Sequence, residues 1–134
     1  MTIEAQLKWT DGLQFVARSG SGPAVVIDSS DGGSGVSPMQ MVLIGVAGCT
    51  AIDVIMIMKK KRADVKRFEV NVAGELVGSY PKRYNRIHIE YVLYGKDIKP
   101  KGVEQAIDLS EKKFCSAMAS MNAEFQHSYR IVDA

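Results

Sequence analysis

Cysteine and histidine are scarce in this chain of 134 residues, with two of each. Two cysteines rule out a disulfide framework, and Cys49 and Cys115 stand 66 positions apart, so neither a CxxC redox motif nor a local zinc pair exists. His88 and His127 sit in the alternating stretches "RIHIEYVLY" and "FQHSYRIV", without the three- or four-residue spacing that puts two ligands on one helix face. No metal and no cofactor are expected. Charge of one sign is also lacking: seventeen Lys and Arg against fifteen Asp and Glu leave +2, which excludes a nucleic-acid surface. The one dense basic run, Lys59 to Arg62, reads as a solvated helix end that complements the helix dipole. The opening "MTIEAQLKWT" has no apolar run of signal-peptide length, so a cytoplasmic protein with reduced thiols is expected. Repeats, low-complexity tracts and an internal boundary are missing, and residues 1–134 read as a single domain.

Apolar residues are plentiful, at 46% of the chain, enough for a real core. Residues 3–9 and 13–18 read as strands around the turn signal Asp11-Gly12, and "AVVID" (24–28) as a third. "SSDGGSGVSP" holds three glycines, four serines and a proline, which predicts a flexible connection. Ser37 suits a helix N-cap and Pro38 the first helical position. The helix should run to about Lys61. From Met41 to Met58 only Thr50 and Asp53 are clearly polar, so it is apolar nearly all round and belongs inside a domain or a membrane. Its apolar run just reaches the length of a span, but it carries Asp53 near its middle and several small residues. A central helix enclosed by strands from two chains accounts for it, which argues for dimerisation.

"FEVNVAGELVG" places Phe68, Val70, Val72 and Leu76 on one face, and "RIHIEYVLYG" does the same for Ile87, Ile89, Tyr91 and Leu93. An antiparallel pair joined through "SYPKRYN" is expected. "KDIKPKGVEQAIDLSEKKFCSAM" shows Val103, Ile107, Ser110 or Glu111, and Phe114 at helical spacing, a second helix that delivers Cys115. "EFQHSYRIV" closes the chain as a strand. The class is α+β.

Two of these segments carry a resemblance. "SPMQMVLIGVAGCTAIDV" resembles the central-helix motif of the OsmC/Ohr family, and "DLSEKKFCSAM" its second motif. Their order and interval fit, the likeness spans essentially the whole chain, and "CTAIDV" is closer to the small OsmC-like branch than to the hydroperoxide-resistance branch. The resemblance implies an OsmC-like fold, with a buried central helix and a cysteine-bearing second helix packed with antiparallel sheets. It also implies an intertwined homodimer with active sites at the subunit interface. The implied activity is thiol-dependent reduction of organic hydroperoxides, reset by a dithiol reductant that in this family is often a lipoylated protein. Cys49 matches the reactive position and Cys115 the resolving one.

A reactive thiol needs a cation to favour the thiolate. The family takes it from an arginine on the N-terminal strands, held by a glutamate ten residues before the reactive cysteine. Arg18 is the only arginine before the helix and is the candidate for that role, a solvated residue at a strand end being the other reading; the glutamate position holds Met39, followed by Gln40. An amide accepts a hydrogen bond from arginine but supplies no charge. Asp53, one turn beyond Cys49 on the same helix face, would oppose thiolate formation by repulsion, so it is expected to pair with a cationic or hydrogen-bonding group in the interior. The departure at Met39 and the methionines at 39, 41, 56, 58, 118 and 121 keep a second reading open: a dimer that binds a small apolar or thiol-reactive ligand.

Overall fold

A computed structural model describes all 134 residues, which form two compact units, Met1–Val42 and Leu43–Ala134. In the first, β1 (Ala5–Asp11), β2 (Gln14–Ser19) and β3 (Ala24–Ile27) make an antiparallel sheet in that order. The expected turn is present. Gly12 adopts φ +55°, which suits a residue without Cβ, and its carbonyl accepts a 2.8 Å bond from Trp9 Nε1. The connection after β3 forms no helix or strand, but it is organised around the buried Asp28. That carboxylate accepts from the Ser29 and Ser34 backbone N–H groups at 2.7 and 3.3 Å and from the Ser34 hydroxyl. The Ser34 hydroxyl and the Ser29 N–H hold its pKa below the usual carboxylate value.

Helix α1 (Pro38–Lys60) opens with a capping box. Ser37 Oγ accepts from the Gln40 N–H at 3.2 Å, and Gln40 Oε1 accepts from the Ser37 N–H at 2.9 Å. Two otherwise orphaned donors are satisfied, and Gln40 has a structural job. The other end closes in a Schellman motif: Ala63 N–H bonds to Met58 O, Arg62 N–H to Lys59 O, and Arg62 takes φ 58°.

In the second unit, β4 (Asp64–Leu76), β5 (Tyr84–Lys96) and β6 (Glu124–Asp133) form one sheet with β5 in the middle. Its β4–β5 pair is antiparallel, but β6 runs parallel to β5, so the sheet is mixed rather than antiparallel throughout. The physical reason is the crossover. Helices α2 (Pro100–Leu109) and α3 (Ser116–Ala119) lie between β5 and β6 in the chain, and a parallel pair needs such a connection. Gly95 is required where β4 passes it, because a Cβ there would sit 1.9 Å from Asp64 O.

The core is built from Val46, Val54 and Met58 of α1, the β5 face Ile87, Ile89, Tyr91 and Leu93, and Val103, Ala106 and Ile107 of α2. Phe68, Val70 and Val72 pack against it as their spacing predicts. Leu76 does not. A bulge between Glu75 and Leu76 breaks the alternation and leaves Leu76 exposed.

The expected second helix is interrupted. After α2 the residues Ser110–Phe114 form a π turn, Cys115 is extended, and α3 starts beyond it. The wider turn is closed by Cys115 N–H to Ser110 O at 2.7 Å, and it turns Phe114 outward while burying Ser110.

By length and composition α1 is apolar enough to cross a membrane. Within the chain it buries the face of Val46, Ala47, Thr50, Val54 and Met58, while Ile44, Gly48, Ile52 and Met56, spaced by four, form an exposed ridge.

Candidate active site

The π turn determines where Cys115 points. Ligand atoms of Cys49, Asp53 and Cys115 all lie within 4.8 Å of one another. Two residues of one α1 face and a third from the break after α2 therefore meet at one point. Cys49 is half-buried and Cys115 is 4% exposed, and both are free thiols.

Asp53 makes no salt bridge with a lysine or arginine of residues 43–134. Its partner is the Ser110 hydroxyl, which donates to Oδ2 at 2.9 Å, so the expected interior hydrogen-bonding group is found. Behind it stands a chain of hydroxyls in the core. Thr50 Oγ1 is 2.7 Å from Ser110 Oγ and 2.8 Å from Tyr91 OH, with Thr50, Ser110 and Tyr91 fully buried. Counting hydrogens fixes the direction. Ser110 spends its only hydrogen on the carboxylate, so it accepts from Thr50; Thr50 then accepts from Tyr91. Tyr91 has no hydrogen left for Glu111, whose Oε2 is farther off at 3.4 Å. The three donors run one way, toward Asp53. Such a polarised chain takes the place of water around a carboxylate drawn into the protein.

Burial pushes the Cys115 thiol up to about 11; the Met118 N–H acts the other way and Cys49 alongside adds to the rise. Burial likewise raises Tyr91, despite its bond to Thr50. Cys115 is thus a protonated thiol at neutral pH. The folded chain holds this proton more tightly than the unfolded one, so the stabilisation is complete below about pH 9 and is lost as pH rises toward about 11. Denaturation midpoints measured between pH 8 and 11 should fall, and Cys115→Ser should flatten part of that fall; an unchanged slope would exclude Cys115 as its source.

The other residues singled out from sequence sit as follows. Arg18 belongs to the N-terminal unit, where its Nη1 donates to Gly22 O at 2.7 Å. Met39 lies in the first turn of α1 beside Gln40. His88 Nε2 is 3.0 Å from Ser128 Oγ, and His127 Nδ1 is 3.0 Å from Glu111 Oε1. Lys112 pairs with Asp108 at 2.7 Å, an exposed i,i+4 bridge. A cavity of about 250 Å³ opens beside the cluster, lined by Asp53, Met56, Ile57, Lys60 and Phe114. Thr50, Tyr91 and Ser110 were not recognised from sequence as parts of the site. Their signal was a polar group on an otherwise apolar core face.

Residues 31–130 match the family described as OsmC-like protein. The chain is also 37% identical to Protein YhfA of Escherichia coli over 134 residues, covering 98% of this chain and all of YhfA. This chain belongs to the OsmC-like family. Among solved structures, a hypothetical protein from Aquifex aeolicus superposes with a TM-score of 0.84 at 30% identity, covering 98% of both chains. The organic hydroperoxide resistance protein OhrB of Bacillus subtilis gives 0.67 at 14% identity, covering 97% of this chain and 98% of that one, a likeness of fold. The central helix and mixed α+β layout are therefore those of OsmC-like proteins, and the two cysteines occupy α1 and the segment after α2 of that fold. Chemically, the cluster offers two thiols close together, a carboxylate beside them and a fixed supply of hydrogen-bond donors behind that carboxylate.

Proposed function

We propose that this OsmC-like protein is a thiol peroxidase that reduces organic hydroperoxides in oxidative-stress defence, with Cys49 as nucleophile and Cys115 as resolving thiol. The observation that carries this reading is the meeting of the two sulfurs within 4.8 Å across 66 residues of sequence. The roles follow from exposure and ionisation. Cys49 is the more accessible sulfur, and Cys115 is the buried one that stays protonated. The Cys49 thiolate attacks the terminal peroxide oxygen, the O–O bond breaks, and the leaving alkoxide takes a proton to become the alcohol. The sulfenic acid on Cys49 then condenses with the Cys115 thiol, releasing water and forming a disulfide. An external dithiol, of the kind carried by a lipoylated protein, supplies two electrons and two protons to restore both thiols.

Arg18 is assigned as the cation that favours the thiolate, in the role its family position implies.

The whole chain acts as one OsmC-like domain in a homodimer, set in the reducing cytoplasm. Support for the dimer comes from the exposed ridge Ile44, Gly48, Ile52 and Met56, in which Gly48 leaves room for close helix approach. A copy of the same helix would cover it, and sedimentation at the mass of a single chain would contradict this. The ligand-binding reading keeps one observation in its favour, the cavity of about 250 Å³ with Met56, Ile57 and Phe114 in its wall. Mild oxidation separates the two. A peroxidase should consume cumene hydroperoxide with a dithiol, and its mass should drop by two hydrogens; an unchanged mass with no turnover leaves the binding dimer.

A further inference from the structure

We infer that the reduced protein holds a thiophilic divalent cation, of which Zn²⁺ is the natural example, on Cys49 Sγ, Cys115 Sγ and an Asp53 carboxylate oxygen. The inference goes beyond the peroxidase reading, although it uses two of the same side chains. Three observations carry it. First, the ligand atoms are already within 4.8 Å of one another. Ligands 2.0 to 2.3 Å from a tetrahedral ion lie about 3.3 to 3.8 Å apart, so closing on the metal asks any pair to approach by about 1.5 Å at most. Second, the donors come from segments fixed by other bonds. Cys49 and Asp53 share one face of α1, while Cys115 is held at the π turn by its backbone bond to Ser110. Third, Ser110 donates to Asp53 Oδ2 and is itself held by Thr50, which is the outer-shell support that orients a ligating carboxylate.

The electrostatics point the same way. Asp53 makes no salt bridge within its own unit; the neutral Ser110 hydroxyl donates to it, and Lys60 shares the wall of the adjoining cavity. A divalent ion would offset two of the three negative charges that the carboxylate and the two thiolates bring together. Three protein donors leave a fourth tetrahedral position for water or an incoming thiol. Two thiolates favour zinc over magnesium or calcium, which prefer oxygen. Binding is an exchange: whatever protons the two thiols carry leave to solvent as the ion enters, with no change of oxidation state. Protons compete with the ion for both sulfurs, so affinity should fall as the pH is lowered. While the metal is bound neither sulfur is available to peroxide, and the disulfide cannot form. The site would thus be closed by zinc and reopened by a chelator.

Cobalt(II) makes the site visible. Reduced full-length protein titrated with Co²⁺ should develop a thiolate-to-cobalt charge-transfer band in the near ultraviolet, saturating at one ion per chain. Zn²⁺ should displace it. Cys49→Ser and Cys115→Ser should each lose most of the band. Asp53→Asn, with both thiols intact, should bind at least about tenfold more weakly, and circular dichroism of that variant checks its fold. If Asp53→Asn fails to fold, Ser110→Ala, which releases the carboxylate without removing it, should also weaken binding. Saturation at less than one ion per chain, or equal affinity in wild type and a folded Asp53→Asn, would overturn the site. Because the readout is spectroscopic, a protein that binds cobalt but turns over no hydroperoxide sinks only the peroxidase reading.

Discussion

Cys49→Ser should lower dithiol-dependent consumption of cumene hydroperoxide by at least about 10³-fold, to the level of buffer and reductant alone. The size of the effect follows from the chemistry. A serine hydroxyl is not ionised at neutral pH and does not form the sulfur–oxygen bond that accepts the peroxide oxygen, so no alternative nucleophile replaces it. Cys115 is a poor substitute. It is buried, its thiol is pushed up to about 11, and the thiolate fraction at neutral pH is correspondingly small. Cys115→Ser should behave differently, giving one equivalent of alcohol per chain and then stalling as a Cys49 sulfenic acid, which a sulfenic-acid trap would reveal by mass. The contrast distinguishes roles as well as activity. Equal turnover in wild type and Cys49→Ser would remove Cys49 from the mechanism, and multiple turnovers with unchanged rate in Cys115→Ser would remove Cys115 as the resolving thiol.

The architecture was largely readable from residue spacing because it rests on local chemistry. Ser37 and Pro38 start a helix wherever they precede such an apolar run, and Gln40 completes the capping box three residues after Ser37. Alternation in 68–72 and 87–93 finds the core-facing strands, since burial on one sheet face has a period of two. What failed was whatever depends on a break in period. The bulge before Leu76 and the π turn at Ser110–Phe114 each shift the register, and no local residue preference announces either. The direction of β6 was likewise set by the path of α2 and α3 rather than by its own sequence. Cys49 and Cys115 were singled out through the resemblance of two motifs. Asp53 was recognised as a buried acid in need of a partner, but the partner, Ser110, lies 57 residues away and reaches it only because the π turn brings it there. Sequence spacing contains no trace of that meeting. Thr50 and Tyr91, one on α1 and one on β5, are joined by tertiary packing alone.

Thr50→Val should destabilise the protein by about 2 kcal/mol, because it removes the middle member of a directed chain while keeping its shape. Valine matches threonine in volume and branching, so neither a cavity nor a large change in helix propensity accompanies the substitution. What is lost is the acceptor for Tyr91 OH at 2.8 Å and the donor to Ser110 Oγ at 2.7 Å, both fully buried. The freed Tyr91 hydroxyl has only Glu111 Oε2, 3.4 Å away, to turn to. Coupling is the sharper test. If the hydrogens run from Tyr91 through Thr50 and Ser110 to Asp53, Tyr91→Phe should cost much less in the Thr50→Val background than in the wild type. The double-mutant cycle should then return an interaction energy of about 0.5 to 3 kcal/mol. Urea denaturation of the four proteins, at a pH well below 9 so that Cys115 stays protonated throughout, supplies the numbers. Strict additivity of the two substitutions would mean that the hydroxyls merely fill space, and the one-way supply of donors to Asp53 would have to be abandoned.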